Sequence, residues 1–217
     1  ANMPVDVQKD EEKGLYYVQK EKKRLYFRKS TPAKKIQKYY RALSMEQDRR
    51  SPHHYFNSVK EVTGKVFVDV GCAEGYSSLE IIEEAKHVYL FEQDEQWLEA
   101  IRATFEPWQD KVTIVQKYVS DHNSSREQTL DDFFNNQTNE HLFLKMDIEG
   151  AERHALAGCN NLFQNCQKLD FAICTYHLRD DEEVISAFLD KHNCTYINQK
   201  GFFRHKIRSV VMRGSKK

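Results

Sequence analysis

Three acids, Asp69, Glu92 and Asp121, each stand at or just beyond the end of a short apolar run. Two glycines four apart, Gly71 and Gly75, follow the first of them. The stretch Val66-Phe67-Val68-Asp69-Val70-Gly71-Cys72-Ala73-Glu74-Gly75-Tyr76 therefore reads as a strand, a tight turn and the start of a helix. Gly71 permits a backbone bend or a close ligand approach that a Cβ would obstruct, and Gly75 lets the helix begin near the strand. Such a turn, at the carboxyl end of a first parallel strand, suits a nucleotide-like ligand. Asp69, Gly71, Ala73, Gly75 and Tyr76 would form its walls. Glu92 is placed to accept two ribose hydroxyls, and Ser120 and Asp121 fall where an adenine would lie. Further on, Asp147, Glu149 and Glu152 fall within one turn, and His177 follows the next strand. Carboxylates beside an imidazole suit proton transfer, or a divalent metal.

These residues need a scaffold, and the hydrophobic pattern supplies one. Past the central strand, helix Tyr76–Ala85, strand His87–Phe91, helix Glu95–Phe105 and strand Val112–Gln116 alternate regularly. A short helix near Leu130–Phe134, strand Leu142–Met146, a helix over Ala151–Phe163 broken near Gly158, strand Leu169–Cys174 and helix Asp181–Asn193 continue the series. The last runs, Thr195–Asn198 and Ile207–Met212, have no helix between them and must form an antiparallel hairpin. The expected fold is α/β: a doubly wound, seven-stranded, mostly parallel sheet. Ahead of it, Thr31-Pro32 and Ser51-Pro52 read as helix starts, with stripes Ile36, Tyr39, Tyr40, Leu43 and Tyr55, Val59, Val62. Leu15–Val18 and Leu25–Phe27 suggest a hairpin or a docked arm. We therefore divide the chain into a basic helical extension over 1–64 and a catalytic domain over 65–217.

Composition narrows the class. The chain has 217 residues and a formal net charge of zero, so the whole molecule is no obvious polyanion binder. Ten bases against one acid fall between Lys20 and Arg41, interleaved with Tyr26, Phe27, Tyr39 and Tyr40. Such a run can contact RNA, but its helical spacing favours a solvated face with its aromatic side on the core. No apolar run approaches a membrane span, and no apolar leader is present. Five cysteines without metal-ligand spacing read as reduced thiols of an intracellular, cytoplasmic protein. Asn-x-Ser/Thr triplets at Asn123, Asn136 and Asn193 would be glycosylated only in a secreted chain.

The spacing Gly71-x-x-x-Gly75 lacks the three-glycine pattern that seats a pyrophosphate, which disfavours a nicotinamide dinucleotide. A cofactor without phosphates needs no such nest. Together with the final hairpin, as at the end of the methyltransferase sheet, this selects S-adenosylmethionine. The block Leu142-Phe143-Leu144-Lys145-Met146-Asp147-Ile148-Glu149-Gly150-Ala151-Glu152 resembles the FkbM-type methyltransferases, whose hallmark is a lysine, an Asp at the strand end and an acid-Gly-Ala-Glu turn. The resemblance covers about Lys65 to Asn193 and includes Phe91-Glu92, Val119-Ser120-Asp121, Thr129-Leu130-Asp131-Asp132 and Gly158. It implies S-adenosylmethionine-dependent methylation of hydroxyls on sugars, glycan precursors or secondary metabolites. The chain departs from the family pattern at Glu74, often Asn, at Gln93, often Pro, and at Cys174-Thr175-Tyr176-His177, where many carry an acid before the histidine.

Methyl transfer needs the acceptor aligned with the sulfonium methyl and a base for the hydroxyl proton. His177 is the expected general base. Asp147 would orient the acceptor or contact the methionine amino group. His53, His54 and Tyr55 could line the acceptor pocket. Glu149 and Glu152 fall in the first turn of a helix, where acids meet free N–H groups, so no metal is assigned. Expected partners are a small-molecule or glycan acceptor, with a homodimer formed through the hairpin edge or the N-terminal arm. Two other readings stay open. One is a catalytically silent cofactor-binding module that docks a partner. The other is an RNA methyltransferase, although no Asn/Asp-Pro-Pro-aromatic block is present.

Overall fold

The structure is a computed structural model that describes residues 4–135, 140–203 and 206–216. Asn136 lies outside the described residues. The chain opens with an antiparallel meander, β1 (Val7–Asp10), β2 (Leu15–Lys20) and β3 (Lys23–Tyr26), and helix α1 (Ala33–Glu46) follows. Then come β4 (Val66–Val70), α2 (Tyr76–Ile81), β5 (His87–Phe91), α3 (Glu95–Phe105), β6 (Val112–Val115) and the small parallel pair β7 (Tyr118–Val119) and β8 (Glu127–Gln128). The remainder is α4 (Leu130–Phe133), β9 (His141–Met146), α5 (Glu152–Ala157), α6 (Asn160–Asn165), β10 (Lys168–Cys174), α7 (Asp181–Lys191), β11 (Thr195–Phe203) and β12 (Lys206–Lys216).

Seven strands form one sheet in the order β11-β12-β10-β9-β4-β5-β6. The five from β6 to β10 are parallel, while β12 runs antiparallel to both β10 and β11. This is the doubly wound sheet with a terminal hairpin that the alternation required. Successive strand residues point to opposite faces, and the sheet accordingly separates two cores. Val66, Val68, Val70, Leu142, Leu144 and Met146 pack on one side, with α5, α6 and α7 supplying Leu156, Phe163 and Ile185. Phe67, Val88, Leu90 and Phe143 face the other, against Leu79 of α2, Ile101 of α3, Ile36 of α1 and Leu15 and Leu25 of the meander. Every residue of β4 is buried, as a central parallel strand covered on both faces must be.

The segment ahead of β4 differs from expectation. It is helical only over α1, and the arm at 7–26 is a three-stranded meander. No helix starts at Ser51-Pro52; a single 3₁₀ turn, Val59–Val62, capped by the Ser58 hydroxyl, is all that forms before Gly64. Tertiary partners outweigh the local signal. Gln199 donates its side-chain amide to the carbonyls of Pro52 (2.9 Å) and His54 (3.0 Å), and the Tyr55 hydroxyl is drawn to Asp147. Thr31 likewise makes no side-chain cap, and Pro32 itself occupies the N-cap position of α1. The basic face of α1 is solvated, with Lys34, Lys35 and Lys38 exposed and Ile36 and Tyr40 buried. Tyr26 and Phe27 are core residues, so they offer no stacking platform for bases.

Candidate active site

The ligand crevice of an open α/β sheet lies beyond the carboxyl ends of its strands, where the winding direction reverses. Here the reversal falls between β4 and β9. Leaving β4, the chain takes left-handed backbone at Gly71 (φ +80°), Ala73 (φ +47°) and Gly75 (φ +82°). A Cβ on Gly71 would stand 2.0 Å from the Asp147 carbonyl oxygen, so that position needs glycine for closeness as well as conformation. At Gly75 the added carbon would meet the Phe105 ring at 2.6 Å. The turn is fastened to β5 by Glu92: the Ala73 N–H donates to Oε2 (3.0 Å) and the Asp94 N–H to Oε1 (2.7 Å). That carboxylate is fixed in place, with lone pairs left over on both oxygens.

Register explains the support beneath the turn. Parallel pairing sets Asp69 opposite Lys145, and their side chains form a buried ion pair at 2.8 Å. Lys145 Nζ also donates to the Gly71 carbonyl (2.7 Å), and the Ser78 hydroxyl donates to Asp69 Oδ2 (2.6 Å). Burial opposes the charge on Lys145, yet Asp69 and Asp147 outweigh it and hold the ammonium above its ordinary pKa. Asp69 is 1% exposed and braces the turn, at the edge of a cavity. Burial also pushes the Glu74 carboxyl up to about 7, against hydrogen bonds that include one from the Tyr39 hydroxyl at 2.8 Å.

A cavity of about 590 Å³ joins this turn to the end of β9. Gly71, Glu74, Glu92 and Trp97 line one part of it, and Tyr55, Asp147 and Tyr176 another. Tyr76 also edges the space, and α1 covers it with Tyr39, Leu43 and Glu46. Ser120 and Asp121 are not among its lining residues. Ser120 is buried against Gly158. Asp121 pairs with His122 and His154, whose hydrogen bonds hold it down at about 2. Tyr118 and Val119 stand at the cavity in their place.

At the β9 end, Asp147 Oδ2 accepts from the Tyr55 hydroxyl (2.6 Å), and Oδ1 lies 3.5 Å from His177 Nε2. His177 Nδ1 lies 2.9 Å from Glu152 Oε1, and Nε2 is 3.6 Å from Glu149 Oε2. Burial alone would lower the His177 pKa; Glu152, Asp147 and Glu149 more than offset it and raise it. Both ring nitrogens are buried, so Asp147, not the imidazole, meets the cavity. The histidines expected near the acceptor divide: His53 stacks edge-on with Tyr176 at 5.2 Å, whereas His54 is buried against Arg213.

With this geometry in view, the relationships are informative. The model of the methyltransferase FkbM domain matches residues 39–197. The chain belongs to the FkbM methyltransferase family. No curated protein matches the sequence. A methyltransferase FkbM from Methylobacillus flagellatus KT has a similar structure, with a TM-score of 0.56 and 19% identity over 70% of this chain. This chain spans 43% of that protein's length. SMU.1697c, a methyltransferase-like protein from Streptococcus mutans solved with SAH, aligns over 73% of this chain and 93% of its own, at 14% identity and a TM-score of 0.52. The M. jannaschii tRNA m1G37 methyltransferase covers 93% of this chain and 56% of its own at 11% identity, with a TM-score of 0.51. At such identities the structural likeness speaks to the fold alone.

Within this FkbM-family chain, sequence reasoning left Glu74, Tyr39 and Trp97 out of the site. Glu74 was visible inside the glycine turn, but its burial depends on α1, whose docking no local signal predicts. Lys145 belongs to the family block, and its role as a brace follows only from the β4–β9 register. The buried Cys72 thiol is held well above its ordinary pKa, first by burial and then by Asp69, which makes it a packing group.

Proposed function

We propose that this protein transfers a methyl group from S-adenosylmethionine to a hydroxyl of a small molecule or glycan precursor. The observation that carries the reading is the single cavity joining the Gly71–Gly75 turn, the clamped carboxylate of Glu92 and the Asp147 corner. A turn whose two glycine positions admit no Cβ and a fixed acid at the next strand end fit an adenosyl ligand. The SAH bound to a protein of similar fold supports the same assignment. S-adenosylmethionine, when bound, supplies an electrophilic methyl group for in-line displacement. Glu92 would hold the ribose, with Tyr118 and Val119 beside the adenine. Glu74 and the Gly71 backbone would face the amino-acid end. Asp147, fixed by Tyr55, would orient the acceptor hydroxyl, and His177 behind it would help draw off the proton. The Asp147 part of the cavity also carries Glu46 and Glu149, which suits a neutral acceptor better than a phosphate-bearing one.

Titration calorimetry with S-adenosylmethionine and SAH tests the cofactor assignment. A bidentate contact from a charged group is worth about 3 kcal/mol, so Glu92→Ala should weaken binding on the order of 100-fold. Glu92→Gln, which keeps its bulk at the turn, should show an intermediate loss. A folded wild-type protein that binds neither ligand would overturn the reading. His177→Ala should lower turnover by at least about tenfold, within the range of proton-transfer contributions, while leaving SAH affinity near that of the wild type.

A further inference from the structure

Behind Asp147 three polar atoms are buried without a hydrogen-bond partner: Glu152 Oε2 and both ring nitrogens of His177. Glu152 is 0% exposed and the His177 side chain 8%. The first-turn position of Glu152 explains only half of its carboxylate, since Oε1 accepts the Ile148 N–H at 2.9 Å. Oε1 also stands 2.9 Å from His177 Nδ1, but without hydrogen-bond geometry. Asp147 and Glu152 pair with no other base among the described residues. The neighbouring cations are committed elsewhere, Lys145 to Asp69 and Arg153 to Asp180 and Asp181. Two carboxylates and an imidazole thus converge in a largely buried pocket, with donor atoms unsatisfied. Native proteins seldom leave buried polar atoms so, and a bound ion is one of the recognised reasons.

We infer that Asp147, Glu152 and His177 bind one divalent first-row cation of the Mn²⁺ type. One donor atom from each residue lies within 4.8 Å of the others. Donors held by a single ion at right angles stand about 3 Å apart. His177 approaches Glu152 through Nδ1 at 2.9 Å and Asp147 through Nε2 at 3.5 Å; since one ion takes one ring nitrogen, the carboxylate beside the other nitrogen has to close in from within 4.8 Å. A ring nitrogen in the set disfavours Mg²⁺ and Ca²⁺, which prefer oxygen shells. The absence of sulfur from the three ligands disfavours soft ions. Glu149, 92% exposed on the solvent side, is free to swing in as a fourth ligand. The ion's remaining positions would open beside Asp147, where an acceptor hydroxyl bound to it would lose its proton more readily. With the ion bound, His177 and Asp147 would activate the acceptor as its ligands, and this would replace proton uptake by the His177 ring itself. This role rests on the proposed reaction; the binding itself does not.

Mn²⁺ titration of the full chain, followed by the loss of the free-ion paramagnetic resonance signal, tests the site without any acceptor. One ion per chain is expected, retained in excess Mg²⁺, with affinity at least about tenfold lower in Glu152→Gln and in Asp147→Asn. Should either variant fail to fold, pulsed resonance on the wild type decides, since an imidazole ligand imprints one nitrogen coupling on the bound Mn²⁺. A folded wild-type chain that binds SAH but takes up no Mn²⁺, or holds it without nitrogen coupling, would overturn the site. Mn²⁺ uptake without SAH binding would leave the site standing and remove the cofactor assignment instead.

Discussion

Glu74 shows how one side chain couples the N-terminal helix to the ligand turn and makes stability depend on pH. It is 3% exposed, and burial lifts its carboxyl from an ordinary 4.5 to about 7. A carboxyl raised in this way binds its proton more tightly folded than unfolded. Its stabilising contribution is therefore complete below about pH 4.5 and is lost as pH rises through 7. Ionised Glu74 then costs the fold on the order of 3 kcal/mol as an upper figure. Glu74→Gln removes the titration and can keep the hydrogen bond from Tyr39, which reaches Oε2. Urea unfolding at about pH 8 should find the variant more stable than the wild type, with the gap closing below about pH 5. Equal stability at both pH values would mean that Glu74 is far better solvated than its burial implies.

At the scale of elements, the two turns at the ends of β4 and β9 interlock, and glycine substitutions separate the two reasons for glycine. Gly64 has φ +72° and open space around its Cβ position, so Gly64→Ala pays only the left-handed penalty of about 1 kcal/mol. Gly71→Ala adds a collision with the Asp147 backbone, which cannot rotate away as a side-chain tip would. It should cost at least about 2–3 kcal/mol and abolish cofactor binding, with denaturant melts and calorimetry as the measurements. The strands of the large sheet were legible because each carries a continuous or alternating apolar run closed by a polar turn. Even the break between α5 and α6 followed from Gly158, whose Cβ would lie 2.1 Å from the Ser120 carbonyl. The β1–β3 meander was less legible, since its strands carry Lys and Arg on their outer face and only pairing reveals the register. Ser51-Pro52 misled because a cap-and-proline signal is local, whereas the carbonyls it would have committed are taken by Gln199, nearly 150 residues on.

For the whole molecule, most of the candidate site was legible: Asp69, Gly71, Ala73, Tyr76, Glu92 and Asp147 line the cavity, while Ser120 and Asp121 turn away toward Gly158 and His154. Strand-end positions can be read from sequence, but which side of a loop faces the crevice depends on packing beneath it. The same dependence bears on the boundary expected at residue 64. Leu15, Leu25, Phe27, Ile36 and Tyr40, all ahead of it, are buried in one cluster with Phe67, Leu79 and Ile101 behind it. The Tyr26 N–H donates to the Thr104 hydroxyl at 3.0 Å, and Arg28 pairs with Asp94 at 3.0 Å. Each large apolar side chain contributes about 1.5–3 kcal/mol on burial. Removing these five would thus forfeit a stabilisation comparable with the whole net stability of a domain, about 5–15 kcal/mol. A chain beginning at Lys65 should accordingly be unfolded or aggregated by circular dichroism and gel filtration, and the full chain should melt in one cooperative transition. If the shortened chain instead kept native spectra and bound SAH, the meander and α1 would be an added cover and not half of a shared core. Cofactor access would then be governed by how that cover opens, and removing it should speed SAH exchange.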